Sequence, residues 1–136
     1  MVNLMRDRYW SMPFLNPPSF LEEKINFCCK KFKVDVLKGN RMSDLLSKNS
    51  NKGKAINALK KYSDIDNIKI IGLGDSPNDL PLLLNSDIRI VIPGIEGPNL
   101  DLLEKIKDLE FILASEPNGY GWKNEINKLI NKLGLI

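Results

Sequence analysis

The stretch that most constrains the fold is an apolar run that breaks into glycine and acid. Ile68-Lys69-Ile70-Ile71-Gly72-Leu73 leads into Gly74-Asp75-Ser76-Pro77-Asn78-Asp79. β-Branched residues favour a strand, and the Gly/Asp/Pro cluster that follows favours a tight turn. A helix is expected from residue 78 to about 84. The flanking segments repeat this alternation. Ala55, Ile56, Leu59 and Tyr62 lie at helical spacing after Lys52, and Ile88-Arg89-Ile90-Val91-Ile92 reads as a strand. Pro98-Asn99 opens a helix carrying Leu100, Leu103 and Ile106. Phe111-Ile112-Leu113-Ala114 reads as a third strand. A last amphipathic helix, about 121–133, carries Ile126, Leu129, Ile130 and Leu133. Strand and helix in alternation imply an α/β fold, a parallel sheet covered by helices on both faces.

Upstream of residue 52 the pattern differs. Pro13, Pro17 and Pro18 oppose regular helix, so 1–19 is expected to be irregular. Ser19 can cap a helix over 20–31 whose apolar stripe is Phe20, Leu21, Ile25 and Cys28. Val34-Asp35-Val36-Leu37 alternates like a strand. Gly39-Asn40 can turn the chain into a second strand over 42–46. The chain therefore divides into a small α+β piece, 1–51, and a partial layered α/β sandwich, 52–136. It has no internal repeat and no low-complexity tract.

Composition narrows the chemistry. The 136 residues contain no His, which excludes Ser-His-Asp and Cys-His catalysis and any His-ligated zinc or iron. Apolar residues at 43% and charged residues at 27% are an ordinary globular balance, which argues against disorder. The net charge of +3 is spread along the chain, with 16 Lys against 4 Arg and no aromatic interleaving, so nucleic acid is not an expected partner. Cys28 and Cys29 are adjacent, and neighbours on a helix diverge by about 100°, so reduced thiols are expected. No stretch approaches the roughly 20 apolar residues of a membrane span. The first residues lack the apolar core of a signal peptide, so a cytoplasmic location is expected.

Two motifs carry chemistry. An apolar strand delivers Asp75 to its C-terminal end, where open α/β sheets bind ligands. Asp79 lies four residues on and can face the same spot. Two nearby carboxylates repel unless a cation separates them, and oxygen ligands suit Mg²⁺. A plain strand–turn–helix with Asp79 as a cap would explain Asp79 but leave Asp75 without a role. A dinucleotide site fits poorly, because the third glycine position is Pro77 and Asp75 would oppose a pyrophosphate. The second motif is Asn51-Lys52-Gly53-Lys54-Ala55. A lysine at a helix N-terminus works against the dipole unless an anion docks there. Lys54 reads as an ordinary solvated lysine.

Together the two motifs resemble motifs III and IV of the haloacid dehalogenase superfamily, whose phosphatases use an Asp nucleophile and Mg²⁺. Gly72-Leu73-Gly74-Asp75-Ser76-Pro77-Asn78-Asp79-Leu80-Pro81 is most similar to the mannosyl-3-phosphoglycerate phosphatase group. Three further segments resemble that group. Arg8-Tyr9-Trp10-Ser11-Met12-Pro13-Phe14 is similar to its Arg-x-x-Ser-Glu-Pro-Phe segment, with Met12 in place of Glu. Gly39-Asn40-Arg41-Met42 is similar to its Gly-Gly-Arg-Phe, departing at Asn40 and Met42. Glu116-Pro117-Asn118-Gly119-Tyr120-Gly121-Trp122 is similar to its late Gly/Pro-rich loop.

The resemblance implies a partial Rossmann-like core over 52–136 and the remnant of an inserted cap over 1–51. It implies that Lys52 neutralises charge on the nucleophile and the transferred phosphate, and that Asp75 binds Mg²⁺. Asp79 would bind Mg²⁺ or orient its waters, supported by Asn78. Arg41 and Arg8 would pair with a carboxylate or phosphate of a sugar phosphoglycerate, since guanidinium matches such groups bidentately. The family's Asp-x-Asp nucleophile ends an apolar strand, whereas Asp64-Ile65-Asp66 follows Lys60-Lys61-Tyr62-Ser63 and reads as a turn. The expectation is a C-terminal half of a phosphatase, inactive alone. Its Ile68–Leu73 strand would expose an edge for an N-terminal half or for self-association. The alternatives are another sugar-phosphate phosphatase, of the sucrose-phosphate type, and a non-catalytic remnant or binding module.

Overall fold

The computed structural model describes residues 11–48, 50–62 and 68–134. Two three-stranded sheets organise them. In the first, β1 (Ser11–Leu15), β2 (Val34–Lys38) and β3 (Met42–Ser47) are antiparallel in the order β1-β3-β2, with α1 (Ser19–Phe32) between β1 and β2. In the second, β4 (Ile71–Gly74), β5 (Ile88–Val91) and β6 (Ile112–Leu113) are parallel in the order β4-β5-β6. Helices α2 (Lys52–Tyr62), α3 (Leu80–Leu84), α4 (Leu100–Ile106) and α5 (Asn118–Lys132) accompany the parallel sheet.

The period-2 pattern of β5 builds a core on both faces. Val91 points to one side, against Leu83 of α3 and Leu102 and Ile106 of α4, all four fully buried. Ile90 and Ile92 point to the other side, with Ala114, and Ile126 and Leu129 of α5 pack there. Burying each such aliphatic chain contributes about 1.5–3 kcal/mol. The α/β layering expected from the sequence is therefore present, with helices on both faces of a parallel sheet. Cys28 and Cys29 are unbonded thiols, the first exposed and the second buried.

Two differences from expectation have physical causes. Residues 11–15 form a strand rather than irregular chain, pairing Pro13 with Asp44 of β3. Proline removes a backbone donor, which an edge strand tolerates, and β1 is an edge. The expected 68–73 strand begins only at Ile71, which pairs with Ile88, the first residue of β5. Upstream of Ile88, Asp87 takes over. Its carboxylate accepts the Ile70 N–H at 2.7 Å and the Lys60 ammonium at 3.2 Å, while its own N–H donates to Ile70 O at 2.9 Å.

Asp87 thus ties α2 to the start of both β4 and β5. The Ile70 N–H first, and then Lys60, hold its carboxyl below the ordinary Asp range. A carboxyl whose folded value is lowered stabilises the fold above its unfolded value and ceases to do so as pH falls through the folded one. Asp87→Asn keeps an acceptor but loses the charge. Its urea midpoint should lie below that of the wild type at neutral pH, and the gap should close on acidification. A gap independent of pH would contradict this role.

Candidate active site

The site forms at the C-terminal end of β4. Ile92 N–H donates to Gly74 O at 2.9 Å, continuing the ladder beyond the strand and fixing where the chain leaves the sheet. A short 3₁₀ turn, Pro77–Asp79, follows and runs directly into α3. Gly74 permits the close return, because a Cβ there would stand 2.6 Å from the Asp79 Cβ. Asp79 is consequently buried, at 5% exposure. One of its oxygens accepts from the Lys52 ammonium, and the other accepts the Asp75 N–H at 3.1 Å.

Lys52 reaches Asp79 because α2 and α3 approach closely at Gly53. A Cβ at Gly53 would lie 2.3 Å from the Pro81 carbonyl oxygen. Asn51 caps α2, its side-chain oxygen accepting the Lys54 N–H at 3.0 Å, so the lysine starts the first turn. Lys52 thereby lies near the positive end of the helix, paired with the Asp79 carboxylate.

Asp75 is the outward-facing member. Partial burial of its carboxyl, and then the hydrogen bond and like charge of Asp79, raise it above the ordinary Asp range. The residue as a whole stays exposed although its carboxyl is partly withdrawn from water. Its Oδ2 accepts from the Asn40 amide at 3.1 Å, whereas among the described residues its Oδ1 has the longer contact with the Ser76 hydroxyl, at 3.5 Å. Asn78 is half-buried, and its side-chain oxygen accepts from that same hydroxyl.

These groups define what the site can hold. Both Asp79 oxygens are engaged, by a lysine and by a backbone amide. Asp75 Oδ1 is the oxygen with the weaker contact, 3.5 Å to the Ser76 hydroxyl against 3.1 Å from Asn40 to Oδ2. No group of three or more His, Cys, Asp or Glu side chains is gathered among the described residues. A hard cation fits beside Asp75 with waters or another segment completing its oxygen shell, which Mg²⁺ accepts readily. Asp79 fits as the group that orients Lys52 and the Asp75 backbone.

The structure therefore gathers Lys52, Asp75, Asn78 and Asp79. Arg41 is exposed on the β2–β3 turn and makes no ion pair with a described residue. Arg8 and Asp64-Ile65-Asp66 lie outside the described residues. Beside the site, a cleft of about 340 Å³ between the antiparallel sheet and α2 is lined by Leu37, Asp44, Leu46, Asn51, Lys52 and Asn78. Sequence pattern alone gives no site role to Asn40, Gly53 or Ser76. A glycine in the first turn of a helix is the available signal for Gly53, since it weakens the helix unless a neighbour needs the space.

Residues 17–92, more than half of the chain, match the sequence signature of haloacid dehalogenase-like hydrolases. The chain belongs to this family. A glucosyl-3-phosphoglycerate/mannosyl-3-phosphoglycerate phosphatase of Persephonella marina is 29% identical over 135 residues, covering 97% of this chain and 49% of the relative. A phosphatase of the same description from Methanococcoides burtonii is 36% identical over 104 residues, covering 73% of this chain and 36% of the relative. The sucrose-phosphatase of Synechocystis, solved in complex with sucrose and phosphate, superposes with a TM-score of 0.69 at 19% identity. It covers 88% of this chain and 52% of that one. The chain thus spans about half the length of the first relative and of this structural neighbour. These likenesses agree with the resemblance drawn from the Asp75–Asp79 run, and the third shares the fold. No helix among the described residues is long and apolar enough to cross a membrane.

The α2–α3 approach yields a contrast. Gly53→Ala should lower the unfolding free energy by about 1–3 kcal/mol, since the added methyl meets the Pro81 backbone as well as the Asn85 side chain. Gly119→Ala, whose Cβ would meet nothing within 4 Å, should be neutral or slightly stabilising. Urea unfolding of both variants checks this, and equal stabilities would contradict the close approach.

Proposed function

We propose that this chain supplies the cation-binding and charge-neutralising half of a phosphomonoester hydrolase acting on a glycosyl-3-phosphoglycerate, glucosyl or mannosyl. The observation that carries the reading is the convergence of Lys52 and Asp75 on the buried Asp79 at the end of β4. The names of the two similar phosphatases support the substrate class. On this reading residues 1–51 are cap and 52–136 are core.

The roles follow from the contacts. Asp75 offers its Oδ1 to Mg²⁺, which when bound supplies positive charge toward the oxygens of the transferring phosphoryl group. Lys52 places a second positive charge at the same point, held by Asp79 so that little reorganisation is needed during the reaction. Asp79 also fixes the Asp75 backbone, and Asn78 steadies the turn through Ser76. Arg41, one residue from Asn40 on the turn beside the site, is assigned to the carboxylate or phosphate of the substrate, and Arg8 joins it in that assignment. The phosphoryl acceptor is a carboxylate from a segment pairing along the open edge of β4, which has a strand partner on one side only among the described residues. A second reading, a phosphatase of the sucrose-phosphate type, draws on the structural neighbour solved with sucrose and phosphate.

Reconstitution tests the proposal. The N-terminal half of the Persephonella marina relative, expressed separately, is mixed with this chain and assayed for phosphate release with Mg²⁺. Turnover of glucosyl-3-phosphoglycerate above that of sucrose 6-phosphate is expected, and the reverse preference would favour the second reading. Lys52→Ala should lower turnover about 100-fold or more, on the scale of losing one charge-stabilising group. Association without any turnover would indicate a non-catalytic remnant and contradict the proposal.

A further inference from the structure

Asn40 sits at the tip of the β2–β3 hairpin, 35 residues from Asp75 in sequence, yet its amide donates to Asp75 Oδ2 at 3.1 Å. Its own side-chain oxygen accepts from the Asn99 amide at 2.7 Å. Asn99 caps α4, its side-chain oxygen accepting the Leu102 N–H at 3.0 Å. The cap fixes the orientation of Asn99, because the reversed amide would set donor against donor. That leaves the Asn99 amino group to donate to Asn40, which leaves the Asn40 amino group to donate to Asp75. Three hydrogen bonds thus run in one direction, from a helix terminus to a carboxylate, and bonds aligned this way reinforce one another.

The hairpin tip is also held from the other side. Asn16, just beyond β1, donates through its side chain to Gly39 O at 3.0 Å and through its backbone N–H to Arg41 O at 3.1 Å. It accepts from the Ser43 hydroxyl at 2.7 Å. Asn40 is therefore presented from a turn whose flanking carbonyls are already bound.

We propose that Asn40 is a positioning residue for Asp75, oriented by Asn99, which engages Oδ2 and so fixes the rotation of that carboxylate with Oδ1 available to a divalent cation. The inference rests on the reading of Asp75 as a cation ligand. It adds that the antiparallel sheet takes part in building the cation site, through a residue that departs from the family's Gly-Gly-Arg-Phe pattern. Asn40 does not touch the cation. It occupies Oδ2 and leaves Oδ1 with only the long Ser76 contact among the described residues, in the manner of hydrogen-bonding partners of metal ligands.

The test is calorimetric titration with Mn²⁺ of the wild type, Asp75→Asn, Asn40→Ala, Asn99→Ser and the double variant of Asn40 and Asn99. Serine keeps the helix cap but is too short to reach Asn40. Hydrogen exchange of the α4 amides verifies that the cap survives. Asn40→Ala and Asn99→Ser should each weaken Mn²⁺ binding about tenfold. The double variant should be no weaker than Asn40→Ala alone, because both residues act along one path. Wild-type affinity in Asn40→Ala would overturn the inference while Asp75→Asn still abolished binding. Wild-type affinity in Asn99→Ser would overturn the relay, as would additive losses in the double variant. Absence of binding by the wild type, or equal binding by Asp75→Asn, would overturn the cation reading itself and this inference with it.

Discussion

The candidate site depends on one buried carboxylate. Asp79 is almost closed off from water, and an isolated charge there would be expensive. Lys52 and the Asp75 amide satisfy it, one on each oxygen. The same two contacts set the positions of the lysine and of the second carboxylate. Because Asp79 ends the 3₁₀ turn immediately before α3, and Lys52 starts α2, the ion pair also links these helices. The packing at Gly53 and Gly74 brings the pair together, so removing either glycine would disturb the site as well as the fold.

The parallel sheet explains why this cluster lies at a surface. Strand β5 is central and its side chains fill both cores, whereas β4 has a strand neighbour on one side only among the described residues. The end of β4 therefore combines a rigid anchor on the β5 side with open space on the other. Asp75 stands at that boundary, fixed through its backbone and through Asn40. The antiparallel sheet contributes Leu37, Asp44 and Leu46, which form one wall of the adjoining cleft.

Much of this was legible from local pattern. The alternation of strands and helices after Lys52 reflects periodicities of 2 and 3.6 that tertiary contacts did not override. The Gly74-to-Asp79 run revealed the site because a turn alone needs glycine and proline, not two acids four residues apart after an apolar strand. What escaped depended on contacts distant in sequence. Pro13 ruled out helix but did not rule out an edge strand, which is what β3 makes of 11–15. Ile68 to Ile70 are as strand-like as Ile71, but β5 starts too late to pair with them, and Asp87 binds Ile70 instead. Asn40 and Asn99 are 59 residues apart, and no local rule joins them.

The most direct measurement of the central claim is residue-resolved amide relaxation with substoichiometric Mn²⁺. The account predicts selective line broadening centred on residues 74–79, extending to 39–41 and to Lys52, and its loss in Asp75→Asn with the remaining spectrum intact. Broadening that persists in Asp75→Asn, or that centres on another acidic region such as the first turn of α1, would contradict it.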